Sequence, residues 1–225
     1  MSIVSIKNRA RKGTLEVEHL LKEASHPNDA FAKALDELSE ELQWSYAAPL
    51  DDGRLLVPLG TWAKVVSTYC RECFQGINRL ATESGFENFV IGLLKEIKKK
   101  ESLDTLLLAF KDNLNEPCSD PDRSCRIASA VNLMLSFKPS VAAADTEQAI
   151  ELRAFLCTLY TCSESDAQRA TALLALRGIG DESSAEFAAS KVLASPWHDV
   201  PNMVGKHIRR RLRTATGTSR LKKQG

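Results

Sequence analysis

The stretch from Asp166 to Ala194 constrains the fold of this chain more than any other part of its sequence. It reads DAQRATALLALR, GIGD and ESSAEFAASKVLA, which are two helical segments separated by glycines. The first segment is apolar almost all round, and a helix of this kind is buried on several sides. Gly178 and Gly180 can adopt a positive φ at no steric cost, so they are expected to end that helix. The stretch therefore predicts two short antiparallel helices joined by a tight turn.

The second segment has both a start signal and a side suited to a core. Asp181, Ser183 and Ser184 offer side-chain oxygens to the first backbone amides of a helix. Its apolar residues recur at helical spacing, and its alanine-rich side would let a neighbouring backbone come close. These apolar positions are Ala185, Ala188, Ala189 and Val192. The residues predicted to hold the core of this half are Leu173, Leu174, Leu176 and Val192.

The rest of the chain follows the same helical pattern. Hydrophobic residues make up 44% and charged residues 26%, close to the average for globular proteins, while aromatic residues make up only 6%. Strand-type alternation is scarce. A length of 225 residues suffices for one domain of moderate size or for two small ones. The predicted fold is an all-α multi-helix bundle.

Charge and helix boundaries predict three regions. Residues 1–13 are expected to form a basic flexible arm, residues 14–213 a helical domain, and residues 214–225 a basic flexible tail. The helical domain has two places for a subdivision, near residues 116–122 and 138–145. The predicted helices span about residues 14–24, 30–44, 62–83, 87–100, 102–115, 123–137, 146–160, 166–177, 184–194 and 201–213.

One segment interrupts the helical pattern. AAPLDDGRLLVPLG, from Ala47 to Gly60, contains two prolines and a DDG turn signal. It predicts either a short hairpin near residues 50–60 or a plain loop.

Helix spacing becomes regular after Pro139. The helices predicted to start near Thr146, Asp166, Ser184 and Pro201 are separated by about 18 to 20 residues, so two helices make a unit of about 37. With the apolar first helix and the ALRGIGD turn, this spacing resembles the HEAT and armadillo class of helical repeats over residues 146–213. The resemblance implies stacked helix pairs. An irregular helical bundle with loops of equal length is the alternative interpretation.

Charge is distributed unevenly along the chain. Residues 1–12 carry four cations and residues 206–225 carry eight, with no acid in either segment. Because the net charge is +1, these twelve cations leave −11 for residues 13–205. Basic clusters of this kind neutralise phosphates or contact an acidic protein surface, and a solvated tail is the third interpretation. The predicted binding residues are Lys7, Arg9, Arg11, Lys12, Lys206, Arg209, Arg210, Arg211, Arg213, Arg220, Lys222 and Lys223.

The last predicted helix places its basic residues by its period. Val204, Ile208 and Leu212 fall on one side, which predicts that they face the core. The side expected to be exposed carries Arg209, Arg210, Arg211 and Arg213. No aromatic residue follows Trp197, so this region lacks the stacking platforms on which single-stranded nucleic acid is bound.

The six cysteines favour structural thiols. Cys70 and Cys73 have the C-x-x-C spacing of zinc and dithiol sites, but they lie deep in a predicted helix with no strand before it. Zinc would also require Cys118 and Cys125, whose spacing is too wide for a zinc knuckle. Cys157 and Cys162 are most simply core or interface thiols. No metal site and no cofactor are predicted.

Catalytic motifs are missing from the sequence. The glycine-rich GIGD lies between two helices and does not follow a strand, which excludes a phosphate loop of the usual kind. No G-x-S-x-G or Walker-type motif occurs, and no residue is assigned a catalytic role. None of the four histidines belongs to an H-x-x-x-H or H-E-x-x-H arrangement: His19, His26, His198 and His207.

Location and function follow from these exclusions. No apolar run approaches the ~18 residues needed to span a bilayer, and residues 1–13 are too polar for a secretory signal. An intracellular (cytoplasmic) protein with reduced thiols is therefore expected.

The leading interpretation of the function is a non-enzymatic helical protein-interaction module of the adaptor, scaffold or immunity type. One alternative is a nucleic-acid-associated protein of capsid or nucleoid type, whose basic segments bind phosphates while its acidic body self-associates. Another is an enzyme whose site is assembled from scattered residues.

Overall fold

The computed structural model describes residues 8, 9, 12, 16–18, 48–49, 55–56, 59–83, 86–97, 99–137 and 146–221. Helices dominate this part of the chain, which confirms the prediction of an all-α multi-helix fold. None of the helices described is long and apolar enough to cross a membrane. Apart from residues 16–18, the two helices predicted over residues 14–24 and 30–44 lie outside the described residues.

The described part of the chain contains ten helices. They are α1 Leu59–Tyr69, α2 Cys73–Ala81, α3 Glu87–Ile97, α4 Lys100–Ala109, α5 Lys111–Asn115, α6 Pro121–Phe137, α7 Glu147–Cys162, α8 Asp166–Ile179, α9 Glu182–Ala189 and α10 Val200–Leu221. The last helix is longer than predicted, since it continues beyond Arg213 into the region expected to be a flexible tail.

A short strand pair precedes α1. Strand β1, Ala48–Pro49, pairs antiparallel with β2, Leu55–Leu56, in the segment where the sequence allowed a hairpin or a loop. The register places Ala48 opposite Leu56 and Pro49 opposite Leu55.

The chain divides into two compact units. The first comprises Met1–Ile97 and Asp104–Ala109, and the second comprises Lys98–Leu103 and Phe110–Gly225. The boundary therefore lies within residues 98–110, closer to the N-terminus than the loops near 116–122 and 138–145.

In the first unit, α3 packs against α1 and α2. The rings of Trp62 and Phe89 meet edge to face, with their centroids 6.3 Å apart. The sequence predicted one continuous helix over residues 62–83, and that prediction is wrong. Glu72 has a φ of 48°, and a residue in this left-handed conformation cannot continue a right-handed helix. Gly76, the expected weak point, is instead buried within α2, where an added Cβ would lie 3.0 Å from Val17 Cβ.

The second unit is a stack of helices in which neighbours in sequence are neighbours in space. Helix α8 packs against α6, α7 and α10, and α9 packs against α10. Helix α8 is therefore in contact with both α6 and α10. Residues of α7 and of the start and middle of α9 line a common groove.

Side-chain caps fix where these helices begin. The Thr146 side chain caps α7, and Ser165 with Gln168 forms a reciprocal capping box at α8. Asp181 Oδ1 accepts the backbone N–H of Ser184 at 2.8 Å at the start of α9. The first two starts agree with the prediction. Of the three residues that the sequence offered as caps for α9, Asp181 is the N-cap, and α9 begins at Glu182, two residues before the predicted start near Ser184.

The two glycines of the GIGD turn act differently from the prediction. Gly178 lies inside α8, and Gly180 follows it with a φ of −62°, so neither residue ends the helix through a positive φ. Both glycines are instead needed for close packing. An added Cβ would lie 2.5 Å from Leu135 Cβ at Gly178, and 2.6 Å from Ile208 Cδ1 at Gly180. The missing side chains let α8 approach α6 and α10.

The predicted core of this half is correct in part. Leu173 and Leu176 are fully buried, whereas Leu174 is only half-buried. Val192 is 88% exposed because α9 ends at Ala189, so its assignment to the core is wrong. The helical spacing of Val192 continued past the point where the backbone leaves the helix.

The difference between these residues gives a direct test of the core. We expect Leu173→Ala to lower the free energy of unfolding by about 2–5 kcal/mol, because it removes buried methyl groups and leaves a cavity. The matched control, Val192→Ala, should change it by less than about 0.5 kcal/mol because that side chain is exposed. Denaturant unfolding followed by circular dichroism measures both. Equal effects of the two substitutions would contradict this description of the core.

Candidate polyanion-binding face

Helix α10 has one side buried in the second unit. Val204 and Ile208 are fully buried, as predicted, and Leu212 is half-buried. Gly205 lies against α9, where an added Cβ would be 3.0 Å from Ala185 O and 3.3 Å from Ala189 Cβ. The alanine-rich side of α9 thus admits the backbone of α10, as the sequence indicated, and fixes which side of α10 faces outward.

The outward side of α10 carries a row of cations. Its positions are separated by three, four and seven residues, a spacing that brings side chains onto one side of a helix. Together they line a groove of about 310 Å³ on the surface of the second unit. The lining residues are Lys206, Arg209, Arg210, Arg213 and Thr214. We call this surface the basic face of α10.

Most of the cations of the basic face are exposed. Arg209 Nε lies 3.0 Å from Glu182 Oε1, and since both side chains are substantially exposed, this ion pair is weak. Lys206 and Arg210 are exposed and, among the described residues, neither lies within ion-pair distance of an acid. An incoming anion would therefore meet several exposed cations on this face.

Arg211 departs from the predicted exposed position. It is half-buried and points towards the end of α8, where its guanidinium donates to Gly178 O at 2.6 Å and to Gly180 O. Burial lowers the pKa of Arg211 below its ordinary value, and the positive charge of Arg153 lowers it further. The terminal carbonyls of a helix carry partial negative charge and lack intrahelical partners, which explains why a cation is held there.

A second arginine completes the contacts at this junction. Arg153, from α7, donates to Ile179 O at 3.2 Å, and its Nε lies 3.2 Å from Asp181 Oδ2. Arginines from α7 and α10 thus bind three consecutive backbone carbonyls between α8 and α9. We call this arrangement the arginine clamp. It consists of Arg153, Arg211 and residues 178–181.

His207 lies beside the basic face. Partial burial lowers its pKa, and the positive charges of Arg177, Arg211 and Arg210 lower it further. The lowered pKa favours the neutral form of the imidazole.

The remaining predicted binding residues fall into three groups. Arg9 and Lys12 are exposed and belong to the first unit. For Arg220, only the helical backbone is described. Lys7, Arg11, Lys222 and Lys223 lie outside the described residues.

A second concave surface, which the sequence did not reveal, lies between α7 and α9. It has a volume of about 440 Å³ and ends at the Arg153–Asp181 pair of the clamp. Its lining is partly apolar, and Ile150 at its edge is 57% exposed. The lining residues are Ile150, Arg153, Ala154, Cys157, Asp181, Ser183, Ser184 and Phe187. The sequence feature that could have indicated this surface is Ile150, an apolar residue on the exposed side of α7. We call this surface the α7–α9 groove.

The polar groups of the α7–α9 groove serve the fold. Burial acts to raise the pKa of Asp181, but hydrogen bonds from the backbone and side chain of Ser184 and from the Ser183 hydroxyl outweigh it, and with Arg153 they lower the pKa to about 2. A carboxylate with so low a pKa is too weak a base to activate a serine hydroxyl. Burial raises the pKa of Cys157 and keeps it a thiol. These groups lack the matched pKa values of a nucleophile and its base.

The cysteines fall in different surroundings from those predicted. Cys70 follows α1 and Cys73 begins α2, so the pair flanks a helix start and does not lie deep in a helix. Burial nevertheless raises the pKa of the Cys70 thiol, and the negative charges of Cys73 and Glu18 raise it further. A raised pKa disfavours a reactive thiolate. In the second unit, burial raises the pKa of Cys162 to about 11, and a hydrogen bond with the Cys118 thiol adds to this. Within the described residues, no group of three or more metal-binding side chains is placed to hold an ion.

Comparison with known proteins gave no match to a family, to a curated protein or to a solved structure. The candidate surfaces therefore rest on the residues of this chain alone.

Arg211 is half-buried and Arg210 is exposed, so substitutions of the two residues should have different effects on stability. We expect Arg211→Gln to lower the free energy of unfolding by about 1–3 kcal/mol, because it weakens charged hydrogen bonds to buried carbonyls. Arg210→Gln is the matched control and should leave stability almost unchanged, since that side chain is exposed. Thermal and denaturant unfolding provide the comparison. An Arg211→Gln variant as stable as Arg210→Gln would remove the structural role of the clamp.

Proposed function

We propose that the protein is a non-enzymatic helical binding protein that holds a polyanionic partner on the basic face of α10. One observation carries the proposal. Lys206, Arg209, Arg210 and Arg213 line one groove on the outer side of a helix whose inner side is anchored in the core. An anion that reaches this groove meets positive charge along two turns of the helix.

The charge of the whole chain supports the same surface. Residues 206–225 carry eight cations and no acid, whereas residues 13–205 carry a net charge of −11. A polyanion is therefore repelled by most of the chain and attracted at its basic segments. Interactions between exposed charges weaken as salt screens them, so binding at this face should be sensitive to ionic strength.

The test uses charge reversal in the full-length chain. We expect the double variant Arg210→Glu/Arg213→Glu to elute from immobilised heparin at a much lower salt concentration than the unmodified protein, because two attractions become repulsions. The matched control is Arg126→Glu with Lys111→Glu, which changes the same charge on α5 and α6. Circular dichroism verifies that all three proteins have the same helix content.

The alternative interpretation is a solvated outer surface that merely closes a helical stack, since terminal helices of such stacks carry polar faces. Failure of the unmodified protein to bind heparin at low salt would support that interpretation. Equal elution of the two double variants would also overturn the proposed site. Deletion of residues 206–225 is a poorer test, because it removes the buried Ile208 together with the cations.

A second candidate function is the binding of a protein partner in the α7–α9 groove. The observation that favours it is the combination of Ile150, Ala154 and Phe187 with polar groups at the groove's end. Protein interfaces combine apolar and polar side chains, and the lining of this groove has both. Its occupant would be an apolar side chain of the partner with a polar group beside it. The stack of α7 to α10 also supports the resemblance to HEAT and armadillo repeats, which we retain as part of this proposal.

The groove is tested apart from the basic face by working in high salt. We expect the tagged protein to recover one dominant partner from its native source, and Ile150→Glu to abolish this recovery by placing a charge at the groove's apolar edge. Leu108→Glu is the control, because Leu108 is also a large exposed apolar residue, at 66%. Recovery of the same partner by both variants would contradict a role for the groove.

A further inference from the structure

Resting on the function proposed for the basic face, we infer that its polyanion is the phosphate backbone of a double-stranded nucleic acid, bound without reading base sequence. The shared chemistry is a row of phosphodiesters, whether the duplex is DNA or RNA. The inference depends on the lining of the groove, on the spacing of its cations and on the side chains that the lining lacks.

Among the described residues, the lining is dominated by cationic donors, which Lys206, Arg209, Arg210 and Arg213 supply. The fifth described lining residue, Thr214, donates its hydroxyl hydrogen to Arg210 O at 3.0 Å. Phosphate oxygens in protein–DNA complexes are bound by this set of residue types. Three of the four cations are arginines, whose planar guanidinium groups bind phosphate through two parallel hydrogen bonds.

The spacing of the cations fits a row of phosphates. Lys206 and Arg213 are seven residues apart, which corresponds to about 10 Å along a helix axis. Phosphates of one strand follow one another every 3.4 Å along the duplex axis, so this length covers about three of them. A helix parallel to the duplex axis can therefore place its cations opposite more than one phosphate.

The same lining argues against an acidic protein as the occupant. The centre of a stable protein interface is depleted of charge and rich in aromatic and apolar side chains. None of the described residues that line this groove is apolar, and Met203, 39% exposed and one turn earlier on α10, is not among them. Contacts with carboxylates alone would be confined to solvated ion pairs, each of which contributes little.

The lining also favours a duplex over a single strand. Single-stranded nucleic acid is held by aromatic side chains on which its bases stack. The described lining residues include no aromatic side chain, and the sequence has none after Trp197. A duplex keeps its bases stacked and presents only its backbone, which suits a surface made of cations and one hydroxyl.

The test measures binding of the full-length protein to a short labelled DNA duplex of mixed sequence by fluorescence anisotropy, between about 50 and 200 mM salt. We expect the logarithm of the association constant to fall linearly with the logarithm of salt concentration. Arg210→Gln should weaken binding about tenfold and make the slope shallower by about 0.9, because one phosphate contact is lost. Arg126→Gln removes an exposed cation on α6, outside the groove, and should leave the slope unchanged.

Further probes separate this inference from the proposed function. We expect an unrelated duplex sequence and an RNA duplex to bind with similar affinity, and a single strand of equal length and poly-L-glutamate to bind more weakly. Tighter binding of poly-L-glutamate, lost in Arg210→Gln, would overturn the duplex inference and leave the proposed basic face intact. Tighter binding of the single strand would have the same meaning. Absence of binding to every probe and to heparin would overturn both.

Circular dichroism of Arg210→Gln excludes unfolding as the cause of any loss, since this side chain is exposed and lies outside the arginine clamp. Lys206→Gln provides a second, independent removal of one cation from the groove. It should reproduce the shallower slope. If neither substitution changes the slope, the phosphates are bound elsewhere and the inference fails.

Discussion

The arginine clamp between α8 and α9 is the interaction on which the arrangement of the second unit depends. A helix end leaves carbonyls without intrahelical partners, and here the chain turns within two residues, at Gly180 and Asp181, into the next helix. Guanidinium groups from α7 and α10 reach these carbonyls from two directions. The clamp therefore joins four helices at one point, and glycines at positions 178 and 180 let the helices come close enough for it to form. Without it, buried carbonyls at the junction would lose their partners, which costs more than the hydrogen bonds themselves contribute.

The clamp also explains how adjacent arginines in one sequence run come to have different roles. Ile208 and Val204 fix the rotation of α10, and this rotation directs Arg211 inward and Arg210 outward. The inward residue is desolvated and bound to carbonyls, so salt has little access to it. The outward residue remains solvated, and its charge acts on whatever approaches the surface. Helix geometry assigns each of these two adjacent arginines its environment.

Sequence reasoning predicted the elements whose causes are local. The capped starts of α7 and α8, the buried positions of α10 and the all-helical class follow from spacing and from cap residues such as Thr146. The failures have causes outside the local pattern. Glu72 breaks a helix because its backbone is left-handed, and a glutamate side chain does not predict that conformation. Val192 continues the helical spacing of apolar residues although α9 has already ended at Ala189. Gly178 resembled a helix end, yet it is required by the nearness of Leu135 on another helix. The basic residues were identified from charge alone, but the inward direction of Arg211 depends on tertiary packing.

The order of the helices in the second unit has a consequence for how the protein is made. Each helix packs mainly against those that precede or follow it closely in the chain, and short-range contacts of this kind form quickly. During synthesis, α6, α7 and α8 emerge before α10 and can assemble first. Until α10 arrives, the carbonyls of Gly178 and Gly180 have water as their partner. Docking of α10 therefore follows the assembly of these helices, and the same event that buries Val204 and Ile208 turns the cations outward. A nascent or truncated chain in which α10 has not docked would not present the basic face of α10 as an ordered row of cations.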